Sequence, residues 1–145
     1  MKVVDHPSPL LLFILNLVSA IVPKLGVKQL ESDVMSTDPK EVEGYVSDPL
    51  VHPGKVTAGM LAAMFTVIKY VTDHARQITL PLLIVQGGAD ATVDPAGAQL
   101  LHDTVGSSDK AIKVYKDYYH EVFNEPKARR DKVFQDIQDW LETRL

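Results

Sequence analysis

The chain has 145 residues, 46% of them hydrophobic, which is enough for one domain with a buried core. Its formal net charge of -4 and isoelectric point near 5.7 indicate no basic surface for phosphates, so we expect no nucleic-acid partner. The absence of cysteine excludes disulfides, thiolate metal sites and cysteine nucleophiles. We recognise no signal or transit peptide and expect a cytoplasmic protein.

The first predicted element is an apolar run, PLLLFILNLVSAIVP, between Pro9 and Pro23. It is shorter than the about 20 residues that a membrane-spanning helix needs. One interpretation is a buried helix over residues 9–22. The other is a helix that covers an apolar substrate entrance or makes transient contact with a membrane surface, which would place the protein at the membrane periphery.

Residues 26–55 are rich in proline and glycine and therefore allow only short elements. Within them, Ser36 or Thr37 is placed to begin a brief helix across Pro39–Tyr45. Apolar residues at helical spacing then predict a helix that ends at about Ala75. These residues are Val56, Met60, Met64, Val67, Ile68 and Val71.

Strand and helix alternate in the second half of the chain. The apolar runs at 82–86 and 111–115 predict two strands, the first buried on both faces of a parallel sheet. Between them, Asp94 and Pro95 predict the start of a helix that runs to about Val105. The apolar face of the last helix consists of Val133, Phe134, Ile137, Trp140 and Leu141. This order predicts an α/β fold.

Two polar residues, Asp90 and His120, follow the two predicted strands. Ligands bind at the carboxyl ends of strands in an open parallel sheet, and a short crossover usually joins neighbouring strands. We therefore expect an Asp90 carboxylate oxygen within about 2.6–3.2 Å of a His120 ring nitrogen, as in a catalytic acid–base pair. Asp94 is already assigned to helix capping. The alternative is two unrelated loop residues, since such a spacing is common.

The remaining histidines carry weaker signals. His74 and His102 fall on predicted helices near charged neighbours, and His6 and His52 belong to no motif. No HExxH or similar spacing joins any of them, so we expect no metal site and no cofactor.

Two motifs, LPLLIVQGGADATVDPAGAQLL and KVYKDYYHEVFNEP, together resemble the C-terminal part of the monoacylglycerol lipases. These proteins belong to the serine aminopeptidase S33, or lysophospholipase-like, branch of the α/β-hydrolase fold. The segment STDPKEVEGYVSDPLVHPGKVTAG is similar to bacterial members. The resemblance implies a partial α/β-hydrolase fold, with lid helices followed by the last two parallel strands and their helices.

The resemblance also implies residue roles. The aspartate of the GxAD loop and the histidine of YHEVFNE are the acid and base of the family's Ser–Asp–His triad, and they match Asp90 and His120. Residues 1–54 would form a lid or cap, and 55–145 the C-terminal part of the core. Tyr45 matches a tyrosine near the glycerol-binding end of the pocket, where its hydroxyl could hold a polar head group. The alternative is a tyrosine that packs the lid onto the core.

The nucleophile elbow of the family, G-x-S-x-G, does not occur in the chain, and neither does the HGxG oxyanion loop. Without them, Asp90 and His120 can at best polarise water. We therefore expect the acid–base half of a hydrolase, inactive alone, from a partial gene, a split gene or a truncation. A strand as apolar as 82–86 is normally flanked by more strands and helices than this chain provides. We therefore expect exposed apolar surface, and either a complementing N-terminal half or self-association.

Around His120, the sequence suggests how the loop is held. We expect its aromatic neighbours to pack around the imidazole ring. These neighbours are Tyr118, Tyr119 and Phe123. Glu121 and Glu125 could fix the loop or cap the last helix, and the sequence leaves that choice open.

Three functions compete. The first is ester hydrolysis through an acyl-serine, with a glycerol monoester of a fatty acid as the substrate. The second keeps the fold but takes a lysophospholipid, another carboxylic ester or a peptide. The third is an inactive or truncated α/β protein that binds a partner. The apolar 9–22 helix favours a lipid-like ester over a peptide.

Overall fold

The computed structural model describes residues 7–52 and 54–145. In chain order these residues form α1 (Pro9–Ile21), β1 (Gly26–Lys28), α2 (Pro39–Ser47), β2 (Val56–Thr57), α3 (Ala58–His74), β3 (Leu82–Gly87), α4 (Ala96–Thr104), β4 (Lys110–Tyr115) and α5 (Lys127–Glu142). A 3₁₀ turn over Ala75–Gln77 follows α3. The order β3, α4, β4, α5 is the alternation that the sequence predicts.

Strands β3 and β4 are parallel neighbours, as expected for a short crossover through α4. Their register runs from Leu82 opposite Lys110 to Gly87 opposite Tyr115, so both strands end at the same edge of the sheet. The loops that carry the candidate functional residues therefore begin side by side.

The buried core lies between the strand pair and α5. It consists of Tyr115, Val122 and Val133, with Val85, Tyr118 and Ile137 packed against it. The predicted apolar face of α5 is thus only partly buried. Val133 and Ile137 point into the core, whereas Phe134 is 53% and Leu141 46% exposed. Helical spacing identified the apolar side of the helix but not how much of it is covered.

Helix α1 occupies the predicted range, but it is not a buried helix. Ser8 caps it by accepting a hydrogen bond from Leu11 N (3.2 Å), and Pro9 suits the first turn. Part of α1 faces α3 across a shared cavity, yet none of its residues is buried. The buried-helix interpretation is wrong here, since α3 covers only one side of an apolar helix. Within the described ranges, no helix is long and apolar enough to cross a membrane.

Helix α2 is capped by Asp38, not by Ser36 or Thr37 as predicted. The Asp38 carboxylate accepts a hydrogen bond from Lys40 N (3.0 Å). The Ser36 hydroxyl instead accepts from Asp38 N (2.9 Å) and donates to Asn124 O (2.7 Å). The Ser36 hydroxyl that the sequence suggested as a cap is therefore engaged in a long-range hydrogen bond.

The antiparallel pair β1–β2 was not predicted. It contains only three and two residues, too few for an alternating pattern to be visible in the sequence. The pair precedes α3, whose first turn is capped by the Thr57 hydroxyl accepting from Met60 N (3.3 Å). It links residues on both sides of position 54, where the sequence suggested a boundary.

Candidate active site

The two loops that leave the strand ends are joined by main-chain hydrogen bonds. Gly88 N donates to Tyr115 O (2.7 Å), and Ala89 N donates to Tyr118 O (3.0 Å). These bonds extend the β3–β4 pairing beyond the strands. They hold the segment before Asp90 against the segment before His120.

Asp90 and His120 meet at this edge. His120 Nδ1 lies 2.8 Å from Asp90 Oδ2, within the predicted range, so the expected contact is confirmed. Asp90 is only 2% exposed, whereas the His120 side chain is 35% exposed. The pair therefore consists of a buried carboxylate and an imidazole that solvent can reach.

Four donors surround the Asp90 carboxylate. Oδ1 accepts from Thr92 N (2.7 Å) and Val93 N (3.0 Å), and Oδ2 accepts from Gln86 Nε2 (2.9 Å) as well as from His120. Burial, the largest single influence, raises the pKa of Asp90, but the hydrogen bonds from His120, the two amides and Gln86 together outweigh it and lower the pKa. The carboxylate is thus held in its ionised, accepting form.

This arrangement determines which ring nitrogen of His120 can take a proton. An ionised carboxylate only accepts, so Nδ1 must carry the hydrogen that it donates to Asp90. The lone pair of the neutral ring then lies on Nε2. If Nε2 takes a proton, the adjacent carboxylate stabilises the imidazolium. The pair has the geometry of a general base with its orienting acid.

Gln86 is a contributor to the site that the sequence did not reveal. It is the last residue but one of β3, and its amide donates to both Gly87 O (3.1 Å) and Asp90 Oδ2. The one feature of the sequence that pointed to Gln86 is that it is the polar end of the apolar run LLIVQ, four residues before Asp90.

Two of the three aromatic neighbours of His120 pair with rings outside its loop. Tyr118 stacks on Tyr115 with 4.9 Å between ring centroids, and Phe123 lies against Phe134 at 5.6 Å. Tyr118 thus joins the loop to β4, and Phe123 joins it to α5. These pairings hold the loop against the strand and the helix that flank it.

The choice left open for Glu121 and Glu125 is settled in favour of fixing the loop. Glu125 is 1% exposed, and its Oε1 accepts from Tyr119 N (2.8 Å). Glu121 Oε2 accepts from Asn124 Nδ2 (2.6 Å). Helix α5 begins after Pro126 without a side-chain cap.

Tyr45 lies apart from the Asp90–His120 pair. It is on α2 and lines a cavity of about 420 Å³ together with His52 and Met60, but neither member of the pair lines it. A second cavity, of about 270 Å³, includes Ala91 and Thr92 beside Asp90. Both cavities share Gln29 and Leu30. Tyr45 and the Asp90 loop therefore line two separate cavities that have two lining residues in common.

The remaining polar candidates have local partners. His74 Nδ1 lies 2.8 Å from Tyr70 O, and His102 Nδ1 lies 3.1 Å from Asp103 Oδ1. His6 is outside the described residues. Within the part of the chain that the structure describes, no group of three or more His, Asp or Glu residues could hold a metal ion.

Asp94 caps α4 as predicted. Its Oδ1 accepts a hydrogen bond from Ala96 N (3.0 Å), and its carbonyl oxygen accepts from Gly97 N (2.9 Å). The two aspartates of the GGADATVD loop thus have different tasks, since the Asp90 carboxylate turns towards His120.

A parallel strand pair that brings a loop aspartate onto a loop histidine has the arrangement of the acid and base in an α/β-hydrolase. The family model described as serine aminopeptidase, S33, matches residues 1–127. The chain belongs to this family of hydrolases. Its predicted family and its partial α/β-hydrolase fold are both confirmed.

The relatives support the same placement. The chain is 38% identical to a monoacylglycerol lipase of Mycolicibacterium smegmatis, over 97% of this chain and 50% of that protein. It is 32% identical to a monoglyceride lipase of Rattus norvegicus, over 97% and 46% of the two chains. The crystal structure of the Paleococcus ferrophilus monoacylglycerol lipase matches with a TM-score of 0.82 and 27% identity, over 97% of this chain and 54% of that one. The chain spans about half the length of the relatives it matches.

Proposed function

We propose that the chain supplies the acid and base of a serine ester hydrolase of the monoacylglycerol lipase type. Asp90 is the acid and His120 the base, and the serine lies outside these 145 residues. The observation that carries the proposal is the 2.8 Å hydrogen bond between the buried Asp90 carboxylate and His120 Nδ1. Monoacylglycerol lipases among the relatives support it over the peptidase and non-enzymatic alternatives.

In the proposed reaction, His120 Nε2 removes the proton from the serine hydroxyl as its oxygen attacks the ester carbonyl. The imidazolium then protonates the leaving alcohol, and a water molecule repeats the sequence on the acyl-serine. Asp90 holds the tautomer and stabilises the positive charge during both steps. The oxyanion donors, like the serine, must come from outside the chain because the HGxG loop does not occur in it.

The proposed substrate is a monoester of glycerol and a fatty acid. We assign residues 1–54 to the lid or cap and 55–145 to the C-terminal part of the core. The Tyr45 hydroxyl, in its cavity of about 420 Å³, would bind the polar head of the substrate. An apolar lid helix suits an acyl chain better than a peptide.

We also propose that α1 makes transient contact with a membrane surface. Its outer side carries an apolar stripe at helical spacing, formed by Leu10, Phe13, Ile14, Leu17 and Ile21, each 46% or more exposed. A helix of this kind could take a lipid substrate directly from the surface that holds it.

A chimaera tests the proposed function. Residues 1–145 would replace the matching half of the Mycolicibacterium smegmatis lipase, which supplies its serine and oxyanion loop. We expect hydrolysis of a monoacylglycerol in preference to a lysophospholipid and a peptide ester. The 145-residue chain alone should hydrolyse a short-chain p-nitrophenyl ester no faster than a denatured control. Preference for the lysophospholipid or peptide would reject the substrate, and a folded but inactive chimaera would reject the catalytic assignment.

A further inference from the structure

The main chain is anchored on both sides of His120. On one side, Tyr119 N donates to Glu125 Oε1 at 2.8 Å. On the other, Glu121 N donates to Met35 O at 2.8 Å. The position of the His120 Cα is therefore set by two partners that lie outside the Asp90 loop.

Glu125 is the centre of this anchorage. Its side chain is fully buried and binds three groups from different parts of the chain. Oε1 accepts from Tyr119 N, while Oε2 accepts from the Thr37 hydroxyl and from Arg129 Nη1 (3.1 Å). A buried carboxylate is costly unless it is paired and hydrogen-bonded, and here each bond also fixes a separate segment.

Arg129 completes the cluster from the first turns of α5. Its Nη1 also donates to Asp117 O (2.9 Å) and lies 3.3 Å from Thr37 Oγ1. The guanidinium carbon is 5.0 Å from the centroid of the Tyr118 ring. One side chain thus holds the start of the His120 loop, while Glu125 holds its middle.

The third anchored segment is the stretch 35–37 that precedes α2. Ser36 Oγ donates to Asn124 O (2.7 Å), and both Met35 and Ser36 are buried. This segment leads into the helix that carries Tyr45. The cluster therefore joins the histidine loop to the α2 region across more than 80 residues of sequence.

We propose that Glu125 is a positioning residue for His120, acting through Tyr119, Thr37 and Arg129 to set the imidazole against Asp90. It touches neither the substrate nor the reacting atoms. The effect of Glu125 on catalysis rests on the proposed function, whereas its effect on the His120 imidazole can be measured in the chain alone.

The test is Glu125→Gln, which keeps the volume of the side chain. An amide has one acceptor oxygen, so it cannot serve the Tyr119 amide, the Thr37 hydroxyl and Arg129 together, and its NH₂ group would face a donor. The matched control is Asp131→Asn, which makes the same change from carboxylate to amide in the exposed Lys127–Asp131 pair of α5. A second control, Ala62→Gly in α3, lowers helix stability without touching the cluster.

The readout is the Nδ1–H proton of His120 in the ¹⁵N-labelled chain, followed by NMR together with thermal unfolding. We expect a protected signal in the unsubstituted chain and in both controls. Glu125→Gln should accelerate its exchange with water by about tenfold or more. Exchange unchanged in Glu125→Gln, or equally fast in Ala62→Gly, would overturn the inference.

A milder variant covers the case in which Glu125→Gln does not fold. Thr37→Val removes one hydroxyl bond to the carboxylate and should accelerate exchange in the same direction by a smaller factor. No change in Thr37→Val would then overturn the inference. Absence of the signal from the unsubstituted chain would overturn the Asp90–His120 pair and the proposed function as well, whereas a signal indifferent to Glu125 would overturn this inference alone.

Discussion

Gly87 leaves no room for a side chain beside the main-chain carbonyl of Tyr119, the residue before His120. A Cβ atom at position 87 would lie 1.9 Å from that oxygen and 2.6 Å from Tyr118 O. Such distances cannot occur, so the loop carrying His120 can approach the end of β3 only where a glycine stands. The close approach of the His120 loop to the end of β3, rather than an unusual φ angle, explains this glycine.

Gly87→Ala should therefore displace the His120 loop. We expect a loss of about 1–3 kcal/mol in the free energy of unfolding and a weakened His120 Nδ1–H signal. Gly97→Ala is the control, because a Cβ there meets no atom outside its own stretch of α4 within 4 Å. Because alanine favours a helix more than glycine does, Gly97→Ala should raise the free energy of unfolding by up to about 1 kcal/mol. Equal melting temperatures and equal His120 signals for the two variants would contradict this explanation.

The pairing of Asp90 with His120 was predictable because it needs only local information. Two apolar runs separated by a short helix imply neighbouring parallel strands, and the residues just past their ends must then lie close together. Long-range contacts were not predictable in this way. Ser36 looked like a helix cap, but its hydroxyl is bound to a carbonyl 88 residues away.

The exposure of α1 and the packing of the aromatic residues near His120 could not be predicted from the sequence either. An apolar helix shows the same pattern whether one side or all of it is covered, and α3 covers only one side of α1. The ring of Tyr118 is closer in sequence to His120 than to Tyr115, yet β4 offers it a stacking partner. Composition identifies apolar groups, whereas the fold decides which of them meet.

Mutation should distinguish the roles of the two aspartates in the loop after β3. Asp94→Ala removes the cap on Ala96 N and should cost about 1 kcal/mol of stability, with most of the chimaera's activity retained. Asp90→Ala leaves His120 without its acceptor and should abolish most of the activity. Thermal unfolding and ester hydrolysis of both variants provide the comparison. An essential Asp94 with a dispensable Asp90 would mean that the wrong acid has been assigned.

Asp136 should contribute to stability in a pH-dependent way. A hydrogen bond from Lys113 (2.7 Å), opposed by burial and supported by Tyr115 and Lys132, lowers the pKa of Asp136 to about 2. Because this folded-state value is below the ordinary 3.8, the contribution is complete above about pH 4 and is lost as the pH falls towards 2.

Asp136→Asn should therefore cost about 1–2 kcal/mol near neutral pH, and less as the pH falls through this range. Urea unfolding at several pH values measures the difference between the variant and the unsubstituted chain. Asp139→Asn, which changes an exposed carboxylate on the same helix, should show little difference at any pH. A stability difference for Asp136→Asn that stays constant from pH 7 to pH 2 would contradict the assigned cause.

The chain alone should associate with itself. Its accessible surface is 9743 Å², compared with about 7,400 Å² for a typical folded monomer of 16.0 kDa. The exposed stripe of α1, centred on Phe13 and Leu17, is part of the excess. Sedimentation should show dimers or larger species, and Phe13→Glu with Leu17→Glu should shift them towards monomer. A chain that sediments as a monodisperse monomer would contradict this expectation.

The most direct measurement is kcat/KM for ester hydrolysis by the chimaera with His120→Ala. If His120 is the base, the value should fall by about three orders of magnitude or more. Removing the elbow serine as well should then cause little further loss, because the members of a triad act as a unit. His102→Ala, which removes a histidine from the surface of α4, should leave the rate unchanged. A His120→Ala chimaera that keeps its rate within about tenfold of the parent would contradict the account.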